Sequence, residues 1–405
     1  MFSFFKPATD RPDPRSYAVL LLTVVSYGIV NNVVFSLLPL IGMEVGLTPR
    51  QIMLIGSSAA LVVFLVSPWW GRRSDVWGRR TSILIGVAGY CVSAALLVGC
   101  VTLALHHWLN ADWLYIGVFG SRLLQAFLIA AMLPAITAYV IDITEPSQRA
   151  VGLGRTGAAH GVGAIAGPSL VILAGWHLLL PLYVAMALAL LIALLVWLYL
   201  VEPTHKAATI KVTGQPQKLR YLDVRYRHLL LSGVAIYLGM AVSTQTMGFD
   251  LPAVLGMPVA EAAKPLGVTQ ALMAMGTVIG QLVLVPRLTW RPERLIWLGM
   301  PLMACGFVVL AGSVALWQLQ LGAVLIGLGL GLSGPGFSAA VSLSVSASEQ
   351  GAVAGLLAAC PALGYVLGPY AAGVLYEWMP RAPFLFAAGV LVLVWPWLWR
   401  QRRVS

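Results

Sequence analysis

Runs of about 20 apolar residues recur along the whole chain, separated by mostly short polar connections. Each run is long enough to cross the roughly 30 Å hydrocarbon core of a bilayer as a helix. We therefore predict twelve membrane-spanning helices and number these predicted spans in chain order. The predicted spans cover residues 17–40, 50–71, 81–104, 113–141, 151–174, 178–201, 228–250, 266–286, 294–314, 317–344, 351–374 and 383–400.

The longest connection begins at Glu202, is polar and basic, and separates the spans into two sets of six. The pattern predicts an N-terminal six-helix bundle over residues 1–201, a basic linker over 202–227 and a C-terminal six-helix bundle over 228–405. The first span lacks a small-residue cleavage site after a short apolar core, so we expect it to be retained and not removed as a signal peptide.

The basic residues predict how the chain is oriented in the membrane. With the N-terminus in the cytoplasm, the cytoplasmic loops and both tails hold all but four of the 25 Lys and Arg residues. The exceptions are Arg122, inside span 4, and three residues on the opposite side: Arg50, Lys264 and Arg381. Because basic residues concentrate on the cytoplasmic side of membrane proteins, both termini and the linker are predicted to be cytoplasmic, with the protein in the inner membrane.

Composition excludes several other classes of protein. Hydrophobic residues make up 60% of the chain and charged residues only 10%, too few to cover a soluble globular surface. The net charge of +11 follows from the membrane orientation, so nucleic acid is not an expected partner. The four cysteines form no CxxC or Cys/His cluster, which indicates no metal site and no cofactor. No HExxH or GxSxG motif is present, so an enzyme is not expected.

The two predicted bundles repeat each other. Four residues of span 5 recur in span 11 at a constant offset of 201 positions, which indicates a duplicated six-helix unit. The pairs are Gly154 and Gly355, Gly163 and Gly364, Gly167 and Gly368, and Pro168 and Pro369. Parallel repeats of six helices are typical of one transporter architecture.

The connection between spans 2 and 3 reads GRRSDVWGRR and resembles the loop motif of the major facilitator superfamily. The motif residues are Gly71, Asp75, Gly78, Arg79 and Arg80. The resemblance extends from Tyr17 to Arg400. It implies an all-α membrane protein of twelve transmembrane helices with the major facilitator fold, built from two pseudo-symmetric six-helix bundles.

The same resemblance implies a cytoplasmic gate at this connection. Asp75 would lie at the positive N-terminal end of span 11, and Arg79 would pair with Asp142 at the end of span 4. These contacts would hold the cytoplasmic side closed in one state of the transport cycle. The alternative interpretation is a basic loop that only sets the membrane orientation.

Span 4 contains SRLLQAF, which resembles the intramembrane arginine motif of the family. A guanidinium inside the membrane is costly and usually functional, so Arg122 is expected to face the bundle interior together with Gln125. The resemblance implies a role in proton transfer or in setting the charge state of a partner. The alternative is an arginine whose long side chain reaches the outer interface.

The glycines of span 5 resemble the motif of the drug/proton antiporter branch. Gly163 and Gly167 are four residues apart, share one helix face and permit close helix contact, while Pro168 loosens the hydrogen bonds beyond it. Gly154 belongs to the same motif. Because the pattern recurs in span 11, generic packing of small residues remains an alternative to antiport.

Polar residues within the spans are candidates for the pathway of substrate and protons. They are Asn31, Asn32, Arg122, Gln125, His160, Gln245 and Asp250. Since neighbouring helical residues point about 100° apart, at most one of Asn31 and Asn32 is expected to face a cavity. For the titrating group we rank Asp250 first, then His160 and Asp142. His160 has the alternative of a packing role.

These features favour a secondary transporter that exports a small organic molecule, a drug or a metabolite, by proton antiport with rocker-switch alternating access. One alternative is an exporter dedicated to an anionic metallophore such as a siderophore. The other is a proton-coupled uptake symporter, because the fold does not set the direction of transport. The expected partners are a small-molecule substrate, protons and the lipid bilayer, with the protein as a monomer.

Overall fold

A computed structural model describes residues 14–144, 149–203, 223–346 and 349–400. These residues form α-helices, one 3-10 turn and one π turn, and no strand lies within the described ranges. The helices are α1 Pro14–Glu44, α2 Pro49–Trp77, α3 Arg79–Leu105, α4 Ala111–Ile129, α5 Met132–Ile143, α6 Arg149–Ser169, α7 Leu180–Tyr199, α8 Arg227–Leu255, α9 Val259–Val278, α10 Val285–Leu288, α11 Pro292–Ala311, α12 Leu316–Leu343, α13 Gln350–Trp378 and α14 Ala382–Arg400.

The helices account for the twelve predicted spans. In the described part of the chain, eleven helical segments are long and apolar enough to cross a membrane, and Ala382–Leu398 is a shorter apolar helix. Several exceed 25 residues, so they extend beyond the roughly 20 residues that a hydrocarbon core requires. The all-α membrane fold expected from the apolar runs is confirmed. Residues 204–222 of the predicted linker lie outside the described residues.

Span 4 is broken where the sequence predicted one continuous helix. It consists of α4 and α5, joined by a turn at Ala130 and Ala131. Pro134 explains the break, because proline has no N–H to donate to the carbonyl of Ala130 and its ring crowds that turn. At the break the N–H of Ala131 donates to the carbonyl of Leu128, and the carbonyl of Phe127 accepts a 2.7 Å hydrogen bond from the indole of Trp70.

Two further helices change their winding next to a proline. α6 ends at Ser169, directly after Pro168, and a 3-10 turn continues over Leu170–Gly175. α9 passes into a π turn over Ile279–Leu284, which ends two residues before Pro286. In both segments the missing proline N–H alters the local hydrogen-bond pattern without ending the span.

Contacts between helices group the chain into two units. The first contains the described parts of residues 1–34, 62–170 and 179–211, and the second contains those of 35–61, 171–178 and 212–405. In the first unit α3 packs against α4, α5 and α7, and in the second α12 packs against α8, α9 and α11. The predicted domain boundaries at residues 201 and 228 stay a prediction.

One close helix contact through glycines occurs in equivalent positions of both units. In the first unit, a Cβ on Gly167 of α6 would lie 2.8 Å from the carbonyl oxygen of Ile29 in α1. In the second, a Cβ on Gly368 of α13 would lie 2.9 Å from the carbonyl oxygen of Leu238 in α8. Gly167 and Gly368 are one of the repeated pairs, so the sequence repeat corresponds to a repeated helix contact.

Candidate functional site

The connection between α2 and α3 is organised around the guanidinium of Arg79. Its Nε lies 3.1 Å from Oδ2 of Asp142, and its Nη1 lies 2.5 Å from Oδ1 of Asp75. Nη1 also donates to the hydroxyl of Ser74 at 2.6 Å. The Arg79 side chain is buried, so these charge-assisted contacts compensate a charge that water reaches poorly. The predicted pairing of Arg79 with Asp142 is therefore present, and its gating role stays a prediction.

Glu202, which the sequence analysis did not select, completes this cluster. Its two carboxylate oxygens accept hydrogen bonds from the backbone N–H groups of Arg79 and Arg80, at 2.5 and 2.9 Å. These amides open α3 and have no partner within the helix, so the carboxylate caps a positive helix end. The Arg80 guanidinium also donates to the carbonyl of Trp197, which ties α3 to α7.

Only glycine fits the turn that precedes α3. Gly78 has a φ of +94°, and a Cβ there would lie 2.9 Å from the carboxyl group of Glu202. Gly71 differs, since a Cβ there would make an ordinary 3.7 Å contact with Pro134. Of the two motif glycines, Gly78 is thus the one whose backbone and surroundings exclude a side chain.

Arg122 lies in a polar cluster inside the first unit. Its guanidinium donates to Oε1 of Gln125, one helical turn away, and lies close enough to Tyr90 of α3 to interact with it electrostatically. The exposed fractions of Arg122, Gln125 and Tyr90 are 4%, 2% and 0%. The arginine is therefore buried among protein side chains, which favours an interior position over the alternative of an interface arginine.

This cluster keeps unused hydrogen-bonding capacity. Nε of Arg122, Nε2 of Gln125 and the hydroxyl of Tyr90 have no hydrogen-bond partner among the described residues. No carboxylate in that part of the chain lies within salt-bridge distance of Arg122. A buried guanidinium without a counter-ion is costly, and an anionic or hydrogen-bonding ligand would lower that cost.

His160 lies in α6 and faces α1. Its ring centroid is 5.6 Å from that of Tyr27. It also borders an open groove of about 260 Å³ between α5 and α6. The other lining residues are Leu133, Ile136, Thr137, Leu153, Thr156 and Gly157. No hydrogen bond or ring contact of the described residues joins His160 to Arg122.

Asn31 and Asn32 have different environments. Nδ2 of Asn32 donates to the carbonyl of Gly28 at 2.8 Å, and its Cβ borders Gly167. The side chain of Asn31 is partly exposed and forms no hydrogen bond with any described residue. Asn32 is thus occupied in the contact between α1 and α6, and Asn31 is the one available to a ligand.

The glycines of α6 form two separate faces. Gly163 and Gly167 pack against α1, where a Cβ on Gly163 would collide with the carbonyl oxygen of Val25. Gly154, Gly157 and Gly161 would each meet nothing within 4 Å. The packing role of Gly163 and Gly167 is therefore clear, whereas Gly154 is not required by any contact in the described residues.

In the second unit, α8 contains a row of buried polar side chains. Ser243 to Asp250 are all buried, as is Gln270 of α9. The amide groups of Gln245 and Gln270, the hydroxyl of Thr246 and Oδ2 of Asp250 have no hydrogen-bond partner within the described ranges. Such groups are rare in folded proteins, where each needs water, an ion or a ligand. The sequence analysis selected Gln245 and Asp250 but missed Thr246 and Gln270.

Asp250 has a defined electrostatic neighbourhood. It interacts with Tyr376 of α13 and with Arg381, whose Nη2 donates to the carbonyl of Ser313 at 3.0 Å. Gln245 lies beside α2, because a Cβ on Gly56 would be 3.0 Å from its Nε2. The candidates therefore fall into an arginine cluster in the first unit and an acid and amide row in the second. No group of three or more His, Cys, Asp or Glu side chains suited to a metal occurs among the described residues.

The sequence profile of the Major Facilitator Superfamily matches residues 20–317 and 287–405. "Multidrug resistance protein 1" of Bacillus subtilis (strain 168) is 27% identical over 370 residues, covering 89% of this chain and 90% of that protein. "Tetracycline resistance protein, class G" of Vibrio anguillarum is 28% identical over 326 residues, covering 78% of each. "Quinolone resistance protein NorA" of Staphylococcus aureus (strain Mu50 / ATCC 700699) is 22% identical over 370 residues, covering 89% of each.

Solved structures show the same fold. A bacterial homologue of the human lysosomal transporter Spinster, in an inward-facing and unoccupied conformation, aligns with a TM-score of 0.71 at 18% identity. That alignment covers 96% of this chain and 97% of the homologue. The human organic anion transporter MFSD10 aligns with a TM-score of 0.66 at 21% identity, over 95% of this chain and all of that one.

Proposed function

This chain belongs to the major facilitator superfamily, and we propose that it exports a small organic molecule across the inner membrane in exchange for protons. The observation that carries this proposal is the buried guanidinium of Arg122, which has no carboxylate partner among the described residues. Charged groups inside membrane helices generally mark the path of a substrate or ion. Relatives named for resistance to drugs, tetracycline and quinolones support the outward direction.

The Arg122 cluster is the proposed substrate centre. Its free donors, Arg122 Nε and Gln125 Nε2, and the hydroxyl of Tyr90 are all buried, so a bound polar group would exchange hydrogen bonds with little competition from water. A substrate site of this kind does not require an acidic side chain. The positive charge favours a substrate with an anionic or strongly electron-rich group.

Asp250 is the proposed proton carrier. The three acid or imidazole candidates differ in what they already contact: Asp142 is paired with Arg79, and His160 stacks on Tyr27. Asp250 is 2% exposed and has one carboxylate oxygen without a hydrogen-bond partner in the described residues. A carboxylate that gains and loses a proton during the cycle needs an oxygen that is not already committed to a partner, and Asp250 has one.

Everted membrane vesicles test the proposal with tetracycline and a quinolone as probes. Driven by a pH gradient, wild-type vesicles are expected to accumulate at least one probe, and Arg122→Ala vesicles to lose accumulation at equal protein level. Arg287→Ala is the matched control, because it removes an exposed arginine of α10 on the side predicted to be cytoplasmic. Vesicles with this variant are expected to keep accumulating the probe. Wild-type accumulation by Arg122→Ala vesicles would remove Arg122 from the mechanism.

The role of Asp250 is separated from binding by a second measurement. Asp250→Asn is expected to abolish accumulation driven by the pH gradient but to retain exchange of labelled for unlabelled probe, which needs no proton. Loss of both activities would assign Asp250 to the substrate site or to folding instead. Gradient-driven accumulation at the wild-type rate would exclude it as the carrier.

An exporter dedicated to an anionic metallophore, such as a siderophore, is a second candidate. The uncompensated charge of Arg122 favours it, because metal chelators of this kind are rich in carboxylates. Mass spectrometry of spent medium from deletion and overexpressing strains, with and without iron limitation, distinguishes the two. An iron-dependent chelator absent from the deletion medium supports the metallophore, and altered drug sensitivity without it supports drug export.

Proton-coupled uptake on the same fold is the remaining alternative. It predicts probe accumulation by right-side-out vesicles under an inward proton gradient and none by everted vesicles. We also propose a monomer with both termini in the cytoplasm. A reporter fused after Lys264 is expected outside the cytoplasm, and a cytoplasmic reporter there would overturn the orientation.

A further inference from the structure

An arginine and two tryptophans form a cage at the end of α2 that the transport proposal does not use. The guanidinium carbon of Arg73 lies 5.4 Å from the ring centroid of Trp69 and 5.3 Å from that of Trp77. Stacking on aromatic faces orients a guanidinium while its N–H groups remain at the edge, free to donate. Arg72, Arg73, Trp69 and Val76 line an open surface groove of about 300 Å³.

The cage is held in place by the protein interior. Trp69 packs edge-on against Trp70, with 4.9 Å between ring centroids, and at a tilt against Phe127, with 5.9 Å between centroids. Trp70 is 3% exposed, and its indole donates to the carbonyl of Phe127. The indole of Trp69 is thus fixed before any ligand binds, which lowers the entropic cost of binding.

Arg73 of the cage and the preceding Arg72 have no acidic partner among the described residues. Arg72 and Arg73 are exposed, and neither forms a salt bridge with a described carboxylate. The neighbouring carboxylate of Asp75 is bound to Arg79. Arg72 and Arg73 border the same groove, and the free N–H groups of a guanidinium are suited to a phosphate, which accepts paired hydrogen bonds from arginine.

The surroundings of the cage indicate that this phosphate belongs to a lipid. Leu65 is 63% exposed and Phe64 is 37% exposed, about two helical turns closer to the membrane interior than the arginines. Exposed apolar side chains are thus followed by basic ones at the end of a membrane-spanning helix, on the side predicted to be cytoplasmic, where anionic lipids attract basic residues. We propose that this cage binds the phosphate of an anionic glycerophospholipid headgroup, with Leu65 and Phe64 against its acyl region.

Native mass spectrometry of the full-length protein, purified in detergent and supplied with phosphatidylglycerol or phosphatidylethanolamine, tests the proposal. Wild type is expected to retain phosphatidylglycerol preferentially. Arg72→Gln/Arg73→Gln is expected to bind it about 30-fold more weakly, since each basic residue near the surface contributes about 5-fold. Trp77→Leu, which keeps apolar area but removes one aromatic face, is expected to bind with intermediate strength.

Arg291→Gln/Arg294→Gln is the matched control. It removes two positive charges from another predicted cytoplasmic connection, where no guanidinium of the described residues stacks on an indole. Retention at the wild-type level by this control, with loss in the cage variant, supports the site. Equal loss in both variants would mean general charge attraction, and displacement of the lipid by equimolar inorganic phosphate would mean a free-anion site. Either result overturns the proposal.

Discussion

The carboxylate cap of α3 leads to a quantitative prediction about stability. Glu202 accepts hydrogen bonds from the first two backbone amides of α3, at 2.5 and 2.9 Å, and joins the end of α7 to the motif connection. Replacing it with alanine leaves both amides without their acceptor. Because these amides also carry the positive end of the α3 dipole, the loss is electrostatic as well as local.

The expected cost follows from the geometry. A hydrogen bond to a charged group contributes about 1.5–3 kcal/mol. Glu202 is only half-buried, so water replaces part of each bond, and we expect Glu202→Ala to lower the free energy of unfolding by about 3 kcal/mol in total. Glu202→Gln keeps one acceptor oxygen and should lose about half of that. Reversible unfolding of the purified protein by sodium dodecyl sulfate in mixed micelles measures both.

A double-mutant cycle with Gly78 tests the cause. Gly78→Ala imposes a side chain at a φ of +94°, which costs about 1–3 kcal/mol, and also places a Cβ 2.9 Å from the Glu202 carboxyl group. The second penalty disappears when Glu202 is alanine, so the double variant should be more stable than the sum of the single losses predicts. Strictly additive losses would refute the contact.

An exposed acid supplies the control for this cycle. Glu44→Ala, at the end of α1, removes a carboxylate that has no hydrogen bond or ion pair among the described residues, and should change the free energy of unfolding by less than about 0.5 kcal/mol. If Glu202→Ala costs no more than Glu44→Ala, the cap does not stabilise the fold.

Three further predictions use the same unfolding assay. Gly163→Ala should lower the free energy of unfolding by about 2 kcal/mol or more, because the added methyl group forces α6 away from α1. Gly157→Ala places its methyl group in open space and should be neutral or slightly stabilising. Equal effects of the two substitutions would refute the packing argument. Trp70→Phe removes the indole hydrogen bond and should lower the free energy of unfolding by about 1 kcal/mol. An unchanged free energy of unfolding would mean that water replaces the lost hydrogen bond. Hydrogen bonds from Arg225 lower the pKa of Glu349 from 4.5 to about 2. The ionised carboxylate of Glu349 should therefore stabilise the fold fully above about pH 4.5, and this contribution to the free energy of unfolding should decline as the pH falls through about 2. The Glu349→Gln variant should lack this pH dependence.

Pro134 shows how a residue with a known local effect was still misjudged. The sequence analysis placed one uninterrupted span over residues 113–141, although proline removes the N–H that the fourth preceding carbonyl needs. Many membrane helices tolerate proline, so the residue alone does not predict a break. The break at Ala130 and Ala131 is accommodated because Trp70, from a different helix, donates to the carbonyl of Phe127.

Two other residues were assigned by position and not by their contacts. Glu202 was counted as the start of a basic linker, yet it caps α3. Trp70 lies near the end of an apolar run, where tryptophan is typical of the membrane interface, but only 3% of it is exposed. In both cases the decisive partner is far away along the chain, at a separation of 123 residues for Glu202 with Arg79 and of 57 for Trp70 with Phe127.

The sequence by itself determined the number and approximate position of the spans and the repeat of their glycines. An apolar run whose helical length matches or exceeds the thickness of the bilayer core is expected to form a helix in the membrane. Every backbone N–H and carbonyl group there needs a hydrogen-bond partner within the segment. Only the tertiary structure decided that Gly167 is packed while Gly154 is open, and that Arg122 is buried without a described acid beside it. Those properties depend on which helices become neighbours, and periodicity along one helix carries no information about the residues that face it from another.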